Sequence, residues 1–76
     1  MENKLGIIAG SGQFPEVVII EAKKLGYNCV VAAIKDEAEA SLMEEEADLQ
    51  WFRAEDIQDI ISFFKASGVR RAVLAG

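Results

Sequence analysis

Cys29 to Ile34 is a run of six apolar residues with no polar residue between them, and it limits the fold more than any other feature of the sequence. A strand that shows one face to water alternates apolar and polar side chains. An unbroken run rich in branched residues belongs instead to a sheet covered on both faces. The run is also far short of the roughly 20 apolar residues that cross a bilayer. Asn28 to Ile34 is therefore expected to be a strand of a parallel sheet buried between helices.

The flanking sequence supplies such helices. Lys4 to Ala9 reads as a first buried strand ending at glycines. Pro15 opens a helix, where its missing N–H costs nothing. Phe14, Val17, Val18, Ala22 and Leu25 form a stripe at helical spacing, widened by Ile19 and Ile20, and Gly26 stops the helix. After the second strand, one helical turn is expected around Ser41 to Glu46, then a short strand from Leu49 to Phe52. Glu55, Asp56 and Asp59 favour the start of a second helix, whose apolar face is Ile57, Ile60, Ile61 and Phe64. Val69 to Ala75 reads as the fourth strand. The alternation predicts an α/β fold: a Rossmann-like open parallel sheet of about four strands, order 3-2-1-4, with helices on both faces. Residues 1–76 form one domain. The last strand ends at Gly76, where a loop and another helix are expected, so the chain reads as a fragment.

Composition narrows the function. Seven of the thirteen acids lie between Asp36 and Asp48 with no base among them, and this stretch accounts for the net charge of -5. It reads as a solvated connection, and no basic face for nucleic acid is evident. Consecutive Glu44, Glu45 and Glu46 point apart on a helix and cannot converge on one metal ion. One cysteine and no histidine argue against an internal disulfide and a zinc site. No signal peptide precedes the first strand, so a cytoplasmic location is expected.

The chemistry concentrates at Gly10-Ser11-Gly12-Gln13-Phe14-Pro15, between the first strand and the first helix. Glycines there permit a tight turn and close backbone approach, and the N–H groups opening the helix suit a phosphate. Ser11 and Gln13 add side-chain donors. Pro15 stands where the dinucleotide fingerprint has its third glycine, and no Lys-Ser or Lys-Thr pair makes the loop a P-loop. In the order 3-2-1-4 the first and fourth strands are neighbours, so Gly10 to Gly12 should sit beside Gly76 at the switch point where such sheets bind ligands. A tight turn without a ligand is the plainer alternative.

Ile7-Ile8-Ala9-Gly10-Ser11-Gly12-Gln13-Phe14-Pro15 resembles the opening of the two-domain UDP-2,3-diacylglucosamine pyrophosphatases of lipid A synthesis. The resemblance continues through Val30-Val31-Ala32-Ala33-Ile34-Lys35, Trp51-Phe52-Arg53 and Gly68-Val69-Arg70-Arg71-Ala72-Val73-Leu74-Ala75-Gly76. It covers the N-terminal domain of proteins several times longer. Where that family often opens the second helix with a glycine and a polar residue, this chain has Ala54-Glu55-Asp56. The resemblance implies hydrolysis of UDP-2,3-diacylglucosamine to UMP and 2,3-diacylglucosamine 1-phosphate. It places the divalent metal, Mg or Mn, and the catalytic residues in a C-terminal domain that this segment lacks. Gly10, Ser11, Gly12, Gln13, Phe14 and Gly76 would then bind substrate, and the segment alone would be inactive. Homo-oligomerisation and peripheral membrane contact of the full-length protein stay open.

The remaining residues have plainer readings. Cys29, inside a buried strand, reads as an inert thiol. Trp51 suits edge packing more than stacking on a uracil, and Lys35 and Asp36 suit a solvated turn. Phe63 cannot share the inward face with Phe64 and is expected at a surface that a missing domain covers. Two other functions remain: a fragment of a nicotinamide or flavin oxidoreductase, and a non-catalytic dimerisation module.

Overall fold

The computed structural model describes residues 3–38 and 48–76. Its elements run β1 (Lys4–Ala9), α1 (Phe14–Lys24), β2 (Asn28–Ile34), β3 (Asp48–Phe52), α2 (Ile57–Ala66) and β4 (Arg71–Ala75). The strands form one parallel sheet in the order β3-β2-β1-β4, the architecture that the apolar β2 run predicts. The turn expected around Ser41 to Glu46, with most of the acidic run, lies outside the described residues. Among the described residues no helix is long and apolar enough to cross a membrane.

Alternation along the buried strands divides the interior into two cores. Cys29 and Val31 of β2 join Ile7, Ala9 and Ala75 under Ile19 and Ala22 of α1. Val30, Ala32 and Ile34 turn the other way and join Phe52 under Ile60 and Phe64 of α2. The helices therefore cover opposite faces, as a two-sided apolar strand demands. Ile7, Ile19 and Ile60 are fully enclosed, each worth roughly 1.5–3 kcal/mol relative to exposure. Lys4 donates from Nζ to the Ser67 carbonyl at 2.7 Å, tying the start of β1 to the end of α2.

Three expectations need correction. The inward row of α1 is Pro15, Ile19 and Ala22, while Phe14 and Leu25 are 58% and 76% exposed and Val17 is also exposed. The apolar stripe runs on through Val17 and Leu25, whereas Glu16, Glu21, Lys23 and Lys24 occupy the arc opposite the buried row. The row that packs is rich in compact side chains, which let the helix approach the sheet. On α2 only Ile60 and Phe64 of the expected face are buried; Ile57 and Ile61 are exposed. Phe63 is half-buried, its ring centroid 5.4 Å from that of Phe52 on β3. That contact rolls α2 towards β3 and turns Ile57 and Ile61 outward. Finally, β4 starts at Arg71 rather than Val69, because the Val69 N–H donates to the Phe64 carbonyl at the end of α2.

The α2 core depends on a missing side chain. A Cβ on Gly6, in the middle of β1, would lie 2.8 Å from Val69 Cγ1 and 3.2 Å from both Ala72 Cβ and Phe64 Cε1. Gly6→Val should therefore lower the unfolding free energy by about 1–3 kcal/mol through overpacking, measured as a shift in the urea midpoint.

Cys29 is buried, and its thiol sits 3.9 Å from the Ile19 carbonyl. Burial pushes its pKa above the ordinary 9.0, with nearby Lys23 opposing weakly. The folded state thus prefers the neutral thiol. Its contribution to stability is complete below about pH 9 and declines as the pH rises further towards the folded-state value. In Cys29→Ala this alkaline decline should shrink in urea titrations between neutral pH and pH 10. The native thiol should react with an aromatic disulfide reagent far more slowly than the unfolded one.

Candidate functional site

The candidate site is built where β1 and β4 end side by side. Their parallel register pairs Ala9 with Ala75, so the two Ala-Gly endings arrive together. The Gly10 N–H donates to the Ala75 carbonyl at 2.8 Å, carrying the ladder one residue past the strand. Gly76 has φ +96°, and a Cβ there would fall 2.5 Å from the Ser11 carbonyl oxygen. A Cβ on Gly10 would in turn come 2.9 Å from the Gly76 carbonyl oxygen. Each glycine makes room for the other backbone, so Gly10, Ser11 and Gly76 form one continuous main-chain surface.

The loop then leaves this surface for solvent. Ser11, Gly12, Gln13 and Phe14 are exposed, whereas Gly10 is buried. Gly12 has φ +85°, and apart from its two chain neighbours nothing lies within 4 Å of where its Cβ would be. The space in front of its backbone is open. Gln13 occupies the N-cap position of α1 without a side-chain capping bond, which leaves its carboxamide available to a ligand. Pro15, buried behind the loop, contributes no N–H, so the first helical donors are those of Phe14 and Glu16. Glu16 adds a negative charge to the same turn. It satisfies the helix dipole and opposes a bound anion.

These six residues do not all meet. Gly10, Ser11 and Gly76 are in direct apposition, while Gly12, Gln13 and Phe14 line the path from that junction onto α1. The site lies at the carboxyl end of the sheet, with α1 leaving on one face and α2 leading into β4 from the other. This is the switch-point placement used by open α/β sheets. What the loop offers is backbone N–H groups, a hydroxyl and a carboxamide. Groups of that kind suit the oxygens of an anion.

The turn opening α2 is committed internally. Arg53 donates through Nε and Nη2 to the two carboxylate oxygens of Asp56, at 3.0 and 3.3 Å. Its Nε also lies 3.4 Å from a Glu55 oxygen. The hydrogen bond from Arg53 holds the Asp56 carboxyl below its ordinary range. Asp56 stands at the N-cap without capping through its side chain, because its carboxylate already faces Arg53. Lys35 and Asp36 lie in an exposed turn after β2, where the Glu37 and Ala38 N–H groups donate to the Ile34 carbonyl and Asp36 has φ +68°. Trp51 is half-buried near the end of β3. Among the described residues no three His, Cys, Asp or Glu side chains gather as a metal site would require.

Residues 4–76 match the family model of the LpxI N-terminal domain. No curated protein and no solved structure matches the chain.

Proposed function

The chain belongs to the LpxI N-terminal domain family, placed in lipid A biosynthesis, and from that premise we propose that it is the substrate-holding wall of a UDP-2,3-diacylglucosamine pyrophosphatase. The reaction would release UMP and 2,3-diacylglucosamine 1-phosphate. A divalent metal, Mg or Mn, and the groups that activate water would come from a C-terminal domain. The described residues of this segment offer no cluster to hold such an ion, so no step of the hydrolysis is assigned to them.

The observation that carries this reading is the apposition of Gly10 and Gly76, with Gly12 opening onto clear space beside it. A diphosphate can approach the backbone there without meeting a side chain. The N–H groups at the start of α1 and the Gln13 carboxamide would donate to its oxygens. The helix dipole adds a favourable contribution of roughly 0.3–1 kcal/mol for a charge at this end. Glu16 subtracts from it, so specificity for substrate must draw on further contacts. Fixed backbone donors orient a pyrophosphate and stabilise charge growing on its oxygens. The segment by itself should therefore release no UMP from a UDP-sugar, whatever divalent metal is added.

Calorimetric titration with UDP tests the loop. Gly12→Asp and Gly12→Asn both place a residue that tolerates positive φ, but only aspartate adds charge. Affinity for UDP should fall about tenfold or more in Gly12→Asp and less in Gly12→Asn, at similar melting temperatures. Equal UDP affinity in the parent and Gly12→Asp would falsify the loop as the phosphate site. Tighter binding of NAD or FAD than of UDP would favour the oxidoreductase alternative.

A further inference from the structure

We propose that a second copy of this chain pairs antiparallel along β4 and supplies its Arg71 to the glycine loop, an inference that rests on the phosphate reading above. β4 pairs only with β1 among the described residues, so its far edge is open. The Gly10 N–H donates to the Ala75 carbonyl, which turns the main-chain groups of Ala75 towards β1. Such groups alternate in direction along a strand. Those of Arg71 and Val73 therefore also face β1, and those of Ala72 and Leu74 face outward.

The two edges of the sheet differ in chemistry. β3 carries Asp48 and Gln50, and Arg53 follows it, whereas the middle of β4 is Ala72, Val73 and Leu74. Soluble proteins blunt an exposed edge with charge, proline or a bulge, and an apolar edge without them invites a further strand. Val73 lies opposite Ile7 of the α1 core and Leu74 opposite Ile8 beside the α2 core. They are 40% and 75% exposed, so the edge is apolar on both faces.

One register makes the strand complementary to itself. With Val73 opposite the partner's Val73, all 5 residues of β4 are paired, and Ala72 meets the partner's Leu74. These are the residues whose N–H and carbonyl groups face outward, so each such pair exchanges two hydrogen bonds. Sliding either copy shortens the overlap. The same register sets Arg71 opposite the partner's Ala75, which keeps the two arginines at opposite ends of the interface.

That placement gives the loop a charge it lacks. Gly10 to Glu16 contain no lysine or arginine, and Glu16 puts a carboxylate in the first helical turn. Lys35, also at the carboxyl end of the sheet, lies in a groove with Asp56 and Asp59. Arg71 is exposed and joins no ion pair among the described residues. In its own chain it stands five residues before Gly76, roughly 16 Å away along the strand. The partner's Arg71, by contrast, opposes Ala75, whose carbonyl holds Gly10. Arg71 pairs with Leu5 and shares its face of the sheet with Val73, the face on which the loop enters α1. A guanidinium there would engage phosphate oxygens already held by the loop N–H groups.

Sedimentation equilibrium of the parent chain should give twice the 8.3 kDa monomer mass. Val73→Lys and Val73→Glu each set like charges face to face at the two-fold axis, and each alone should be monomeric. An equal mixture of the two should recover the dimer, which shows that both variants fold. Calorimetry with inorganic pyrophosphate then locates the arginine. In one mixture Val73→Lys also carries Arg71→Gln, and Val73→Glu also carries Gly12→Asp. Its intact loop receives arginine from the other chain and should bind pyrophosphate as the parent does. In the second mixture Arg71→Gln and Gly12→Asp share one chain, so the intact loop faces glutamine and affinity should fall about tenfold. Equal or reversed affinities overturn the role of Arg71. A monomeric parent that binds pyrophosphate overturns the dimer and leaves the loop reading intact. A dimeric parent that binds neither pyrophosphate nor UDP ends the loop reading and the role of Arg71 together.

Discussion

Strand β2 has no face to give to water, and the rest of the molecule follows from that. Cys29 to Ile34 are all buried, and successive side chains feed alternate cores. Each face must be closed by a helix, so α1 and α2 lie on opposite sides of a parallel sheet. Opposite sides require the chain to wind first one way and then the other from β1. That reversal places the ends of β1 and β4 side by side and makes a crevice at the glycine loop. The candidate site is thus a by-product of how an apolar strand is covered.

The two helices meet this demand differently. α1 packs Pro15, Ile19 and Ala22 against the sheet, leaving Phe14, Val17 and Leu25 outside. α2 commits Ile60 and Phe64 to the core and Phe63 to the flank beside β3. Gly6 lets Phe64 and Val69 descend onto β1. On the open side of the sheet, Leu74 of the edge strand is 75% exposed beside β1.

Most of the architecture was legible because its signals are strong and local. An apolar run, a proline after paired glycines and glycines after each helix mark the elements with little ambiguity. The sheet order and the meeting of Gly10 with Gly76 followed from connection rules. The phase of α1 was missed because the apolar stripe extends through Val17 and Leu25, whereas Glu16, Glu21, Lys23 and Lys24 occupy the arc opposite the buried Pro15, Ile19 and Ala22. The role of Gly6 was hidden for another reason: its neighbours Phe64, Val69 and Ala72 are distant in sequence, and nothing in β1 announces them. Arg53 could be suspected of serving a ligand, but only the structure shows Asp56 and Glu55 claiming it.

The pairing of β1 with β4 also governs when the loop comes into being. Leu5 lies opposite Arg71, so this contact closes nearly the whole described chain into one loop. Closing a long loop costs entropy before its contacts repay it, and non-local parallel pairing folds slowly. The junction of Gly10 and Gly76 therefore belongs to the globally folded state rather than to a local turn that could form early. A ligand held there would stabilise the entire domain by mass action, with the logarithm of its concentration over its dissociation constant. Loss of the β1–β4 pairing dissolves the same junction, so occupancy of the loop and integrity of the sheet rise and fall together.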